Sequence, residues 1–172
     1  VHAGDHHAVH GACGHRRIAF IHGEKTAVTE NRLAGFYQAS EELGLKVPEE
    51  YVREGIYHDA DRCAAETRAL LALPQRPTCI IFPDDFSALG GYNAISEAGL
   101  SIPEDISVMG YDGIYLSRVV KPQLVTYRQN TTALGRTAAD KLIEFIEHPR
   151  VTLPEQIRVS GKLLDGGSVR SL

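Results

Sequence analysis

The chain has 172 residues, 43% of them hydrophobic and 23% charged, with a formal net charge of -4; this is the profile of a globular protein long enough to bury a real core. No window carries the roughly 18 apolar residues of a membrane helix, so no membrane span or membrane partner is expected. The acidic balance supplies no basic field to neutralise phosphates, which excludes these residues as a nucleic-acid grip of their own.

The opening stretch VHAGDHHAVHGACGH crowds His2, His6, His7, His10 and His15. His6 and His10 stand at the i, i+4 spacing that can chelate a metal on a helix, but Gly4 and Gly11 oppose that helix and no HExxH is present, so no metal site is expected. The stretch also lacks the charged and apolar regions of a signal peptide. Cys13, Cys63 and Cys79, an odd number without CxxC spacing, suit buried thiols in a reducing cytoplasm.

Residues 17–21 (RIAFI) read as a short buried strand. TENRLAGFYQASEELGL follows with Leu33, Phe36, Ala39, Ser40 and Leu43 at helical spacing, and Gly44 stands where a C-terminal cap belongs. YVREGIY is a weaker strand, and residues 59–73 form a helix whose apolar face is Ala60, Cys63, Ala64, Thr67, Leu70 and Leu71. TCIIF is a β-branched run of the kind buried on both faces of a parallel sheet, and a helix runs from Asp84 to Glu97. ISVMGYD and QLVTYRQ are the next strands. NTTALGRTAADKLIEFIEH is a long amphipathic helix, and EQIRVSGKLL closes the chain as an extended segment. Strands alternating with helices of this length predict an α/β fold with a doubly wound parallel sheet. The last helix and strand read as an addition to a regular half-domain.

In such sheets ligands bind beyond the carboxyl ends of the strands. Asp85, just inside a strand-to-helix turn, reads as the cap of its helix. Asp84, at the strand end, is either a ligand contact or a solvated loop acid. Asp84 and Asp112 could share magnesium, yet no GxxxxGK[ST] or GxGxxG loop follows any strand, so Mg-dependent chemistry is disfavoured. No GxSxG elbow is present, leaving hydrolase chemistry unsupported. Position alone makes Arg32 a surface helix residue or a bidentate donor facing the crevice. Tyr57 and Tyr127 are packing tyrosines or stacking platforms.

The ordered set RLAGF, PDDFSALG, GLSIPEDISVMGYD and PQLVTYRQ strongly resembles the effector-binding core of lac-repressor-type (LacI/GalR) bacterial transcription regulators, over residues 14–172. The resemblance implies a periplasmic-binding-protein-like fold of two α/β lobes with a sugar or other small effector between them, no catalysis and no cofactor. It divides the chain into residues 1–14, a remnant of an N-terminal lobe or an irregular segment; 15–128, the C-terminal effector-binding lobe; 129–154, a crossover helix belonging to the N-terminal lobe; and 155–172, a terminal strand and tail. The implied partners are a sugar-like effector, a second copy in a homodimer, and operator DNA reached only through an N-terminal helix-turn-helix absent from these residues. A fragment of this extent is expected to bind effector weakly or not at all.

By motif, the resemblance makes Arg32 the donor to effector hydroxyls, Asp112 an acceptor and Tyr57 a ring stacked on the ligand, with Tyr127 and Gln129 at the cleft border. Asp84 stands where the family usually has Asn, and an acceptor-only carboxylate there favours donor-rich, non-anionic ligands. Asp85 matches the family's capping Asp, and Gly113 replaces a second common Asp. A sugar-binding protein of an ABC transport system shares the fold and is the rival reading.

Overall fold

The computed structural model describes residues 12–149 and 157–172. Its elements in chain order are β1 (Ile18–His22), α1 (Ala27–Glu42), a 3-10 turn (Glu49–Tyr51), β2 (Val52–Glu54), α2 (Ala60–Leu71), β3 (Cys79–Ile81), α3 (Asp85–Glu97), β4 (Ser107–Asp112), α4 (Leu116–Val119), β5 (Val125–Arg128), α5 (Thr131–Glu147) and β6 (Lys162–Leu164). The six strands form one sheet in the order β2-β1-β3-β4-β5-β6. All neighbours are parallel except β6, which runs antiparallel to β5 with Tyr127 opposite Leu163.

The sheet is covered on both faces because its central strands are buried along almost their whole length and send alternate, mostly apolar side chains to opposite sides. Ala19, Ile21, Ile80, Phe82 and Val108 pack with Cys63, Leu70, Ala88 and Ile95 of α2 and α3. Ile18, Phe20, Cys79, Ile81, Met109 and Val125 pack with Phe36 and Ala39 of α1. The helix α1 ends as its sequence predicts, with Gly44 at φ 61°. Helices α2 and α3 meet closely at Gly90, where any Cβ would overlap the Ala60 carbonyl.

The sheet is the doubly wound, mostly parallel one that the sequence predicts, with β6 its antiparallel edge strand. Among the described residues of the extended segment predicted to close the chain, only Lys162–Leu164 joins the sheet; residues 150–156 lie outside the described residues. Downstream of β6 the tail turns back along the amino ends of the strands: Ser168, fully buried, donates to the Val108 carbonyl at 2.6 Å and accepts from the Val125 N–H at 2.8 Å. His15, also buried, contacts Thr78, Ser107 and the Arg170 carbonyl at the same end of the sheet. The remaining histidines of the opening stretch lie outside the described residues.

The helix α5 is amphipathic but buries no residue, and Leu142, Ile143, Phe145 and Ile146 are each about half exposed or more. No helix among the described residues is long and apolar enough to cross a membrane.

Candidate ligand site at the strand ends

The carboxyl ends of β1 to β5 open at one end of the sheet, beside the amino termini of α1, α2, α3 and α5. Each of these helices is capped by a side chain its sequence supplies: Thr26, Asp59, Asp84 and Asn130 accept N–H groups of Thr29, Arg62, Ser87 and Ala133.

Arg32 occupies the centre of this end. It lies on the buried face of α1 at 3% exposure, so the surface alternative for it fails. Its Nη1 donates to the Pro83 carbonyl at 2.7 Å, and its guanidinium carbon stands 4.0 Å from the centroid of Tyr111 and 6.0 Å from that of Tyr57. Two aromatic faces and a carbonyl thus hold the cation in place, a cation–π arrangement that gains as it is desolvated. Tyr111 in turn stacks on Tyr127 with centroids 5.5 Å apart, as the register that sets the two opposite each other dictates. The Tyr127 hydroxyl accepts the Gly161 N–H at 2.9 Å and its ring is buried.

Tyr57 is half-buried, and three contacts fix its loop. Its hydroxyl pairs with Thr29 Oγ1 at 3.0 Å. Its N–H donates to the Glu24 carboxylate at 3.0 Å, a bond that holds the Glu24 carboxyl below its usual value. The ring lies where a Cβ on Gly23 would be, so a glycine is required beneath it.

On the opposite side, Gln129 donates from Nε2 to Asp112 Oδ1 at 2.6 Å, and both residues are partly exposed. Asp112 has φ 104° and Gly113 φ 67°. The glycine is demanded twice, by its left-handed backbone and by the Arg128 side chain, against which a Cβ would press.

The doublet Asp84-Asp85 requires a correction: the cap of α3 is Asp84 and not Asp85. Asp84 has extended backbone and accepts the Ser87 N–H at 2.7 Å, because a capping residue must stand one position outside the first helical turn. Its other oxygen accepts the Ser87 hydroxyl at 2.8 Å and the His58 N–H at 2.9 Å. At 1% exposure, with both oxygens engaged by the protein, Asp84 does not face the crevice. It holds instead the corner at His58, where φ is 56°, and so the loop that carries Tyr57.

Asp85, already inside the helix, points to β4 and β5. Burial pushes its carboxyl up to about 6, against hydrogen bonds from Thr126 and Ile114 that favour the charged form, while the Asp112 charge adds to the rise. The strand-end rule selects the stretches that hold Glu24 and Tyr111 without naming either as a site residue, and it passes over Thr126. Tyr111 lies inside the GYD motif itself, at a strand end, and strand alternation turns it towards Arg32. Among the described residues, no group of three His, Cys, Asp or Glu side chains is placed to hold a metal ion. What the site offers is a buried cation between rings, a half-exposed tyrosine face and a carboxylate–amide pair, a set suited to gripping a small polar molecule.

The fold and site define a ligand-binding α/β lobe open at its strand ends. Residues 11–169 match the periplasmic binding protein-like domain, and the chain belongs to that family. It is 36% identical over 163 residues to the HTH-type transcriptional repressor PurR of Haemophilus influenzae strain PittEE, a match covering 93% of this chain and 48% of the repressor. Among solved structures, a LacI transcriptional regulator from Bacillus cereus subsp. cytotoxis NVH 391-98 superposes with a TM-score of 0.89 at 29% identity, covering 98% of this chain and 62% of that one. A LacI-family regulator from Enterococcus faecium with bound ribose gives 0.83 at 29% identity, covering 98% and 63%. These relatives are regulators of the LacI type, as the motif resemblance implies, and the chain spans about half the length of the repressor it matches.

Proposed function

We propose that this chain is the effector-sensing region of a cytoplasmic DNA-binding transcriptional regulator, and that it binds without catalysing. The observation that carries the reading is Arg32, buried and held between Tyr57 and Tyr111 at the open end of the sheet. A fixed, desolvated guanidinium with a carboxylate–amide pair nearby suits a neutral ligand rich in hydroxyl groups, and the Enterococcus relative's bound ribose supports a sugar or polyol. Arg32 donates to ligand oxygens, Asp112 and Gln129 accept and donate opposite, and Tyr57 covers one face of the ring. Tyr127 acts from beneath, as the support on which Tyr111 stacks, while Asp84 positions the Tyr57 loop.

The exposed apolar face of α5 supports its assignment to a second lobe, across which the ligand is enclosed. Ligand that favours the closed arrangement shifts the population of lobe orientations and, in a dimer, the presentation of a helix-turn-helix headpiece to its operator. Calorimetric titration of the full-length regulator with ribose and related sugars and polyols tests the reading: saturable binding that Tyr57→Ala weakens, with the sugar recovered unchanged, is expected. Turnover of the sugar, or binding indifferent to Tyr57, overturns it.

A further inference from the structure

Asp85 is buried at 1% exposure one residue inside α3, yet its carboxylate serves a different part of the fold. Oδ1 accepts the Thr126 hydroxyl at 2.5 Å, and Oδ2 accepts the Ile114 N–H at 2.8 Å. Thr126 Oγ1 accepts in turn the Gly113 N–H at 3.2 Å. The two amides that follow Asp112 are therefore gathered by one carboxylate, one directly and the other through Thr126. The close approach is possible because residue 110 is glycine, and a Cβ there would overlap Asp85 Oδ1. The corner needs such restraint: Asp112 holds φ 104°, a conformation L side chains rarely adopt, and such a residue persists only where its surroundings over-determine it.

We infer that Asp85 is a positioning residue for Asp112: its charged carboxylate fixes the Asp112–Gly113 corner, and taking up a proton rearranges the hydrogen bonds behind that corner and so alters the acceptor presented to a ligand. The inference rests on the reading of Asp112 as an effector acceptor. Both partners of the carboxylate are donors, and a neutral carboxyl must itself donate one bond. The Ile114 N–H cannot accept it. A proton taken from solvent therefore sits on Oδ1, the bond to Thr126 reverses, and Thr126 Oγ1 receives Asp85 O–H and Gly113 N–H while its own proton turns away.

The titratable groups facing Asp85 are Asp112 across the corner, whose charge opposes ionisation, and Tyr92 on α3, whose hydroxyl is pushed up to about 12 chiefly by burial with a smaller contribution from the Asp85 charge. The neighbouring Asp84 is turned towards His58 and Ser87. Burial of Asp85 brings its titration to about 6, within reach of mild acidification.

The test is amide proton–nitrogen correlation NMR of the 172-residue chain without ligand, titrated across about pH 6, for wild type and Asp85→Asn. The Gly113 and Ile114 amides are expected to share an inflection near that pH in the wild type and to lose it in D85N. Amides that stay flat in the wild type, or an inflection that survives D85N, overturn the inference. If D85N does not fold, Thr126→Val decides instead: the Gly113 amide must lose its hydrogen-bonded shift while Ile114 keeps its inflection, and an unchanged Gly113 amide overturns the inference. No ligand enters the measurement, so a wrong assignment of the effector site shows separately, as ligand-induced shifts that bypass Asp112.

Discussion

Replacing Asp84 with Ala removes the cap of α3 and an acceptor of the loop before α2 in one step. The lost cap leaves the Ser87 N–H without its partner, a loss of about 1–2 kcal/mol. The His58 N–H loses its acceptor beneath the Tyr57 loop, and an unsatisfied donor of this kind costs about 1–3 kcal/mol. The combined loss of about 2–5 kcal/mol is a large part of the 5–15 kcal/mol typical of a domain. Asp84→Asn separates the two effects. Its amide oxygen still accepts the Ser87 N–H, but its NH2 group meets the His58 N–H donor to donor, so a loss of about 1 kcal/mol is expected. Urea denaturation measures both. With a slope of about 2 kcal/mol per molar, D84A should unfold about 1–2.5 M earlier than wild type, with D84N between them and the slope unchanged. A D84A protein within about 0.5 kcal/mol of wild type would refute the assignment of Asp84 as cap and loop anchor.

The pH dependence of Asp85 has the opposite sign to that of a salt-bridged carboxylate. Its folded value lies above its ordinary 3.8, so its contribution to stability is full below that value and is lost as pH rises through about 6. At 1.36 kcal/mol for each pH unit between 3.8 and about 6, wild type should lose about 3 kcal/mol relative to D85N over that window, as measured by urea denaturation at fixed pH values. Two helical glycines should respond in opposite directions to alanine. Gly90→Ala drives a methyl into the Ala60 carbonyl and should destabilise by about 1–3 kcal/mol, whereas Gly135→Ala, with nothing within 4 Å, should stabilise by up to about 1 kcal/mol, both read as shifts in Tm.

Periodicity was enough to reveal the sheet and its helices, because the central strands are continuous apolar runs and α1 and α2 carry clear stripes. It left the direction of β6 open, since an extended Lys-Leu-Leu reads alike in either direction. Arg32 shows where local reasoning stops: one turn into a helix an arginine is ordinarily solvated, and only the arrival of Tyr111 from β4 and Pro83 from the end of β3 makes the position buried. The Asp84-Asp85 doublet shows the same limit at finer scale. Both acids satisfy a capping preference on paper, and the register of the turn by one residue decides which one faces its own helix and which one reaches across to Thr126 and Ile114. The motif resemblance carried the family where spacing could not, but a motif names positions and not the directions of their side chains.

The proposed function requires Arg32 and Asp112 to act together on a neutral, hydroxyl-rich ligand. A thermal-shift screen of sugars, polyols and nucleosides against the full-length regulator tests it most directly, with Asp112→Asn and Arg32→Lys beside the wild type. A ligand at about 100 times its Kd stabilises by about 2.7 kcal/mol. Losing a hydrogen bond to a charged group, worth about 1.5–3 kcal/mol, should weaken the same ligand roughly 10- to 150-fold and remove about half to nine-tenths of that shift in either variant. At least one sugar or polyol with this pattern is expected. A ligand that shifts wild type, D112N and R32K alike would contradict the proposed function.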